Sequence, residues 1–169
     1  MAKQESMNLI QFQQRFASEE DCHDYLFNMK WPEGFICAKC NHTACFITTT
    51  RKLKLYECKE CRYQATVTVG TVMERARVDL NKWFWAIYLI AQDKRGISGV
   101  MLSEQLGISY RSAWLMQHKI RKAMGERDAA YMLAGIVELD DAFFGAPSEG
   151  GKRGRGTDKT KVLVGLSQY

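Results

Sequence analysis

Two Cys-x-x-Cys pairs constrain this chain more than any other feature. Cys37-Ala38-Lys39-Cys40 and Cys58-Lys59-Glu60-Cys61 stand seventeen residues apart. That spacing is the signature of a four-thiolate zinc site. Each short pair bends into a knuckle that aims two sulfurs at one ion, and the stretch between is long enough for a returning hairpin. Disulfides are the competing reading, and they require an oxidising compartment. The start, Met1-Ala2-Lys3-Gln4-Glu5-Ser6, leads into an amphipathic segment with no apolar core of signal-peptide length, so structural zinc is expected. Cys22 and Cys45 fall outside the pattern and read as a small apolar residue on a helix and a half-buried hairpin thiol. His42 follows the first knuckle, but four cysteines leave it no place on the metal.

The flanking patterns give an α+β chain. Leu9, Phe12 and Phe16 recur at helical spacing after Asn8, a candidate N-cap. Ser18 followed by Glu19, Glu20 and Asp21 predicts a second helix with the apolar stripe Cys22, Tyr25, Leu26, Met29, stopped by Trp31-Pro32-Glu33-Gly34. The zinc segment reads as strands at 46–50, 53–56 and 63–69, with Arg51 and Lys52, candidate DNA phosphate contacts, at a basic hairpin tip. So small a module has little core, and metal binding is expected to carry its folding.

Asp79 then reads as the cap of an apolar helix running through Trp83, Phe84, Ile87 and Ile90. Residues 97–116 read as a helix-turn-helix. Leu102 and Leu106 face inward, Gly107 permits a left-handed turn, Ile108 plugs the angle, and Ser109 caps the second helix, whose Ala113 and Met116 point inside. Tyr110, Arg111, Ser112 and Gln117 are then expected to face base edges, and Lys119, Arg121 and Lys122 to meet phosphates. A strand at 136–144 carries Glu138, Asp140 and Asp141. A glycine-rich basic loop follows, with Lys152, Arg153 and Arg155 as candidate backbone contacts, then a second strand.

The formal charge of +5 is uneven: residues 1–36 sum to −3, 37–80 to +4, 81–135 to +4 and 136–169 to 0. A basic excess in the middle suits a nucleic-acid partner. No apolar run has membrane-spanning length; the longest, Trp83 to Ala91, reads as a core helix.

Trp31-Pro32-Glu33-Gly34-Phe35, the two knuckles, Lys82-Trp83-Phe84 with Ala86-Ile87-Tyr88-Leu89, Leu106-Gly107-Ile108-Ser109-Tyr110 and Val137-Glu138-Leu139-Asp140 together resemble the zinc-ribbon insertion-sequence transposases of the ISXO-like group. The resemblance implies N-terminal helices (1–34), a zinc ribbon (35–70), a helix-turn-helix region (78–128) and the first strands of a ribonuclease H-like DDE domain (134–169). It implies binding to double-stranded DNA at the element's terminal inverted repeats, a cytoplasmic and nucleoid-associated location, and room for homo-oligomers. It makes Asp140 the first catalytic, magnesium-binding carboxylate, with Glu138 and Asp141 as non-catalytic neighbours. The later acids of the DDE set would lie beyond Tyr169, so the expectation is a truncated, DNA-binding but catalytically incomplete form. The alternative is a stand-alone DNA-binding regulator or transposition inhibitor.

Overall fold

The computed structural model describes residues 7–50, 53–92, 95–128, 132, 135–145 and 158–168. The chain divides into two compact units, Met1–Ala123 and Met124–Tyr169. Residues 51 and 52, and the basic loop with Lys152, Arg153 and Arg155, lie outside the described residues.

In the first unit, α1 (Leu9–Arg15) and α2 (Glu19–Lys30) both open on reciprocal capping boxes, Asn8 with Gln11 and Ser18 with Asp21. The Ser18 hydroxyl and amide both donate to Asp21 and hold its carboxyl below its ordinary range. Helix α2 is the spine of the unit. One face supplies Tyr25 to an aromatic cluster with Phe16 and Phe84. Phe12 extends that cluster onto Trp85 and Tyr88. Its end supplies Phe27 and Trp31 to a second cluster around Tyr56 that also takes in Phe35. The expected stripe is therefore shifted. Cys22, His23 and Leu26 are buried, while Met29 is 66 % exposed. The helix buries faces on two sides, and Met29 falls on neither.

Strands β1 (Cys45–Thr48), β2 (Leu55–Cys58) and β3 (Gln64–Ala65) form an antiparallel sheet in that order. The register sets Cys45 against Cys58 and Tyr56 against Ala65. The third strand is much shorter than 63–69, because local hydrogen bonds from threonine compete with the ladder. The Thr66 and Thr68 hydroxyls pair at 3.0 Å, Thr71 Oγ1 donates to Thr68 O, and Val69 N donates to Thr66 O. Lys30 Nζ takes the carbonyls of Thr66 and Val69 at 3.0 and 2.7 Å. The chain thus leaves the sheet as successive turns, and buried Val67 and Met73 pin them down.

Helix α3 (Leu80–Gln92) is capped from across the fold. The N–H groups of Leu80 and Asn81 donate to the two carboxylate oxygens of Glu19 at 2.9 and 3.0 Å. Asp79, the cap residue expected from sequence, stands directly before the helix, and its carbonyl accepts from Trp83 N. Helices α4 (Gly99–Leu106) and α5 (Tyr110–Asp128) follow. Ser98 caps α4, and Gly107 turns out of it at φ 57°, ψ 47°. Ser109 Oγ accepts from Ser112 N at the start of α5. Leu102, Leu106, Ala113, Met116 and Ile120 are buried, with Ile108 half-buried between the helices. Two helices joined by a left-handed glycine therefore stand where the sequence places them.

The second unit contains β4 (Ile136–Phe144) and β5 (Thr160–Gln168), an antiparallel pair that sets Asp140 against Val164. Ile136, Leu139, Phe144, Leu163 and Leu166 are exposed on it. No described helix is long and apolar enough to cross a membrane.

Candidate metal centre and nucleic-acid interface

The two knuckles are built the same way. In the first, Cys37 N donates to His42 O, Asn41 N donates to Cys37 O, and Asn41 sits at φ 59°. In the second, Cys58 N donates to Tyr63 O, Arg62 N donates to Cys58 O, and Arg62 sits at φ 57°. The residue after each second cysteine thus takes the left-handed conformation, which folds the loop so that both sulfurs emerge on one side. Lys39 N also donates to Cys37 Sγ at 3.4 Å.

The four Sγ atoms of Cys37, Cys40, Cys58 and Cys61 lie within 4.8 Å of one another. Cys37 faces Cys61, and Cys40 faces Cys58, each at 3.5 Å, all as free thiols. A tetrahedral zinc with Zn–S bonds of about 2.3 Å requires sulfurs about 3.8 Å apart, so the donor set fits this metal. The protonation chemistry agrees. Burial opposes ionisation of Cys37, but N–H groups of Lys39 and Cys40 and the neighbouring thiols outweigh it and bring it to about 6. The His42 amide favours the Cys40 thiolate, yet burial and the other three sulfurs push it up to about 12. The opposed shifts of Cys37 and Cys40 are those of crowded sulfurs, which a bound cation would relieve. Among the described residues these cysteines are the one cluster of three or more potential ligands. A closed four-sulfur site leaves no open position, so bound zinc here supplies structure rather than a reactive water. His42 contributes its backbone to the knuckle, and Cys22 is buried with its thiol pushed up to about 11, chiefly by burial.

The candidate interface on α5 is partly as expected. Tyr110, Arg111, Leu115, Arg121 and Lys122 are exposed, and Ser112 is half-exposed. Two residues turn out differently. Gln117 is only 4 % exposed, and its Nε2 donates to Ile97 O at 2.7 Å. Its amide therefore ties the entry of α4 to α5 and does not face base edges. Lys119 is half-buried, with Nζ over the Trp83 ring and donating to Glu74 O at 2.9 Å. Its ammonium holds a preceding loop and is not an outward phosphate contact. The outward face instead includes Trp114, 47 % exposed, with its ring 3.9 Å from that of His118. The sequence hid Trp114 because an aromatic next to buried Ala113 reads as core.

On the ribbon, Lys54 is engaged by Glu20, and Arg62 by Glu57. The Glu20 carboxylate raises the Lys54 ammonium's pKa. Lys59 and Arg62 flank the exposed ring of Phe46 at 5.1 and 5.5 Å. Asp140 lies exposed on β4, its carboxylate accepting from Asp141 N, while Asp141 pairs with Lys161 at 2.9 Å.

Residues 17–64 match the transposase zinc-ribbon domain. The matched segment takes in α2 as well as both knuckles, in keeping with the aromatic cluster that joins α2 to Tyr56. A Halobacterium salinarum protein described as an uncharacterized protein in transposable element ISH50 is 29 % identical over 154 residues. The alignment covers 90 % of this chain and 49 % of that protein, so the chain spans about half the length of the curated relative it matches. No solved structure matches. The thiolate cluster, the fold around it and these likenesses converge: residues 17–64 are similar to the transposase zinc-ribbon domain, and the chain that carries them resembles the zinc-ribbon transposases of insertion sequences.

Proposed function

We propose that this chain is the DNA-recognising part of an insertion-sequence transposase, with α4 and α5 acting as a helix-turn-helix on double-stranded DNA at the element's terminal inverted repeats. The observation that carries the reading is the outward face of α5. Tyr110, Arg111 and Trp114 are exposed at its start, directly after the left-handed turn at Gly107. In a helix-turn-helix that end of the second helix enters the major groove. Arg111 can donate two hydrogen bonds to a guanine edge, while Arg121 and Lys122 suit phosphates further along. The zinc ribbon braces the unit through α2.

Strand cleavage and transfer are proposed for the whole transposase, in which Asp140 is a magnesium ligand. Magnesium bound by several carboxylates would supply nucleophile activation and leaving-group stabilisation. Among the described residues Asp140 does not belong to a cluster of three or more potential ligands, so no catalytic step is assigned to this chain.

Fluorescence anisotropy with duplexes of the element ends and scrambled duplexes tests the proposal. The expected result is preferential, salt-sensitive binding to the ends, with Arg111→Ala losing preference more than affinity. An unchanged preference in that variant refutes the assignment of α5. Magnesium-dependent cleavage by the pure chain, abolished by Asp140→Ala, overturns the assignment of catalysis to the longer protein only.

A further inference from the structure

The loop between the ribbon and α3 is absent from every motif, yet it shares a groove with the start of α5. That groove, about 360 Å³, is lined by Arg75, Arg77 and Arg111 over a floor that includes Trp83, Val78 and Leu115. We infer that residues 74–78 form a strap whose Arg75 and Arg77 grip the DNA backbone beside the major groove that α5 enters. The inference rests on the reading of α5 as the recognition helix.

The strap is a built feature. Buried Met73 anchors one side of it, and Ala76 N donates to Met73 O at 3.1 Å. The ammonium of Lys119 buckles Glu74 O to α5 at 2.9 Å. Between these fixings the chain alternates. Arg75 and Arg77 are exposed, while Ala76 and Val78 are half-buried. Both arginines line the one groove. Arg75 holds a left-handed backbone at φ 57°, a conformation arginine adopts only when its surroundings enforce it.

The occupant follows from charge. Three guanidiniums line the groove, and guanidinium presents paired donors that match phosphate oxygens. Glu74 Oε1 lies 3.7 Å from Arg75 Nε, in a pair whose arginine is 92 % exposed. So exposed a pair contributes little and does not commit Arg75 to Glu74. Glu74 Oε2 also accepts from Gly70 N, which keeps that carboxylate on the loop. A backbone contact fixes register on the duplex and carries no sequence information, which separates the strap's role from that of Arg111.

The test measures binding of a mixed-sequence DNA duplex of about three helical turns by the zinc-loaded chain across a salt series, for wild type and for Arg75→Gln/Arg77→Gln. Losing two phosphate contacts lowers the salt slope by about 1.8, so between about 50 and 200 mM salt wild type loses about 12-fold more affinity than the variant. The preference for element ends over mixed sequence stays unchanged. A variant slope equal to that of wild type overturns the strap and leaves the α5 reading standing. Wild type that binds acidic peptide but no duplex overturns both. Should the double variant fail to retain zinc and helical signal, Arg77→Gln alone carries the test, with an expected slope loss of about 0.9.

Discussion

Gln117 offers the sharpest separation of structure from recognition. It sits one turn past Ala113 on α5, within reach of an interface by sequence, yet it is buried and donates to Ile97 O at 2.7 Å. Gln117→Leu keeps the volume and removes the donor. Losing the hydrogen bond and leaving a buried carbonyl without a partner costs about 2–3 kcal/mol, and the added apolar burial returns about 1, so the net loss is about 1–2 kcal/mol. With a urea slope of about 2 kcal/mol per molar, the unfolding midpoint falls by about 0.5–1 M. Gln117→Glu is expected to fall further at neutral pH, because a carboxylate cannot donate to the carbonyl and is buried with its charge. That extra loss eases in acid, where the protonated carboxyl donates. The assay is urea unfolding of the zinc-saturated chain followed by helical circular dichroism, alongside the base preference of the same variants. A leucine variant with an unchanged midpoint and an altered base preference refutes the reasoning and returns Gln117 to the interface.

Chelating zinc is expected to dissolve the ribbon and the Tyr56 cluster while α3–α5 persist, since metal binding contributes on the order of 10 kcal/mol to such modules. Near-ultraviolet dichroism lost with helical signal retained is the expected pattern, and loss of both in one step contradicts it. Glu19→Ala strips the acceptor from Leu80 N and Asn81 N and should cost about 1–2 kcal/mol, with Glu19→Gln costing less, because the α3 terminus prefers an anion. Equal urea midpoints for all three proteins would show that water replaces the carboxylate without loss. Burial pushes Cys22 from 9.0 up to about 11 and Tyr56 from 10.0 up to about 12. The folded chain therefore keeps protons that the unfolded chain releases, so stability is full below about pH 9 and declines as pH rises through about 11–12. Cys22→Ala should flatten the early part of that decline, and a pH profile identical to wild type would refute the assignment.

The parts legible in sequence were those whose determinants lie close together in the chain. Cys37 and Cys40, like Cys58 and Cys61, reach one metal because two residues between ligands fix a knuckle. Asn8 and Ser18 cap helices through partners three residues away. Gly107 and Ile108 mark their turn because the left-handed conformation and the plug are both local. The ligand set and the two-helix core followed from such spacings. Pattern fails where polarity stops reporting exposure. Gln117 and Lys119 are polar residues turned toward backbone carbonyls, and Met29 is an apolar residue turned outward.

The sequence by itself determined that this chain holds a four-thiolate metal site, a basic middle and a pair of helices joined by a left-handed glycine. Those features depend on ligand spacing, charge and conformational preference, which do not need distant partners. Tertiary structure alone decided that Glu19 caps a helix starting 61 residues later, that α2 serves both the helices and the ribbon, and that Arg75 and Arg77 line a groove with Arg111. Each of these depends on segments far apart in the chain meeting at contact distance, and such meetings are set by packing rather than by any local residue preference.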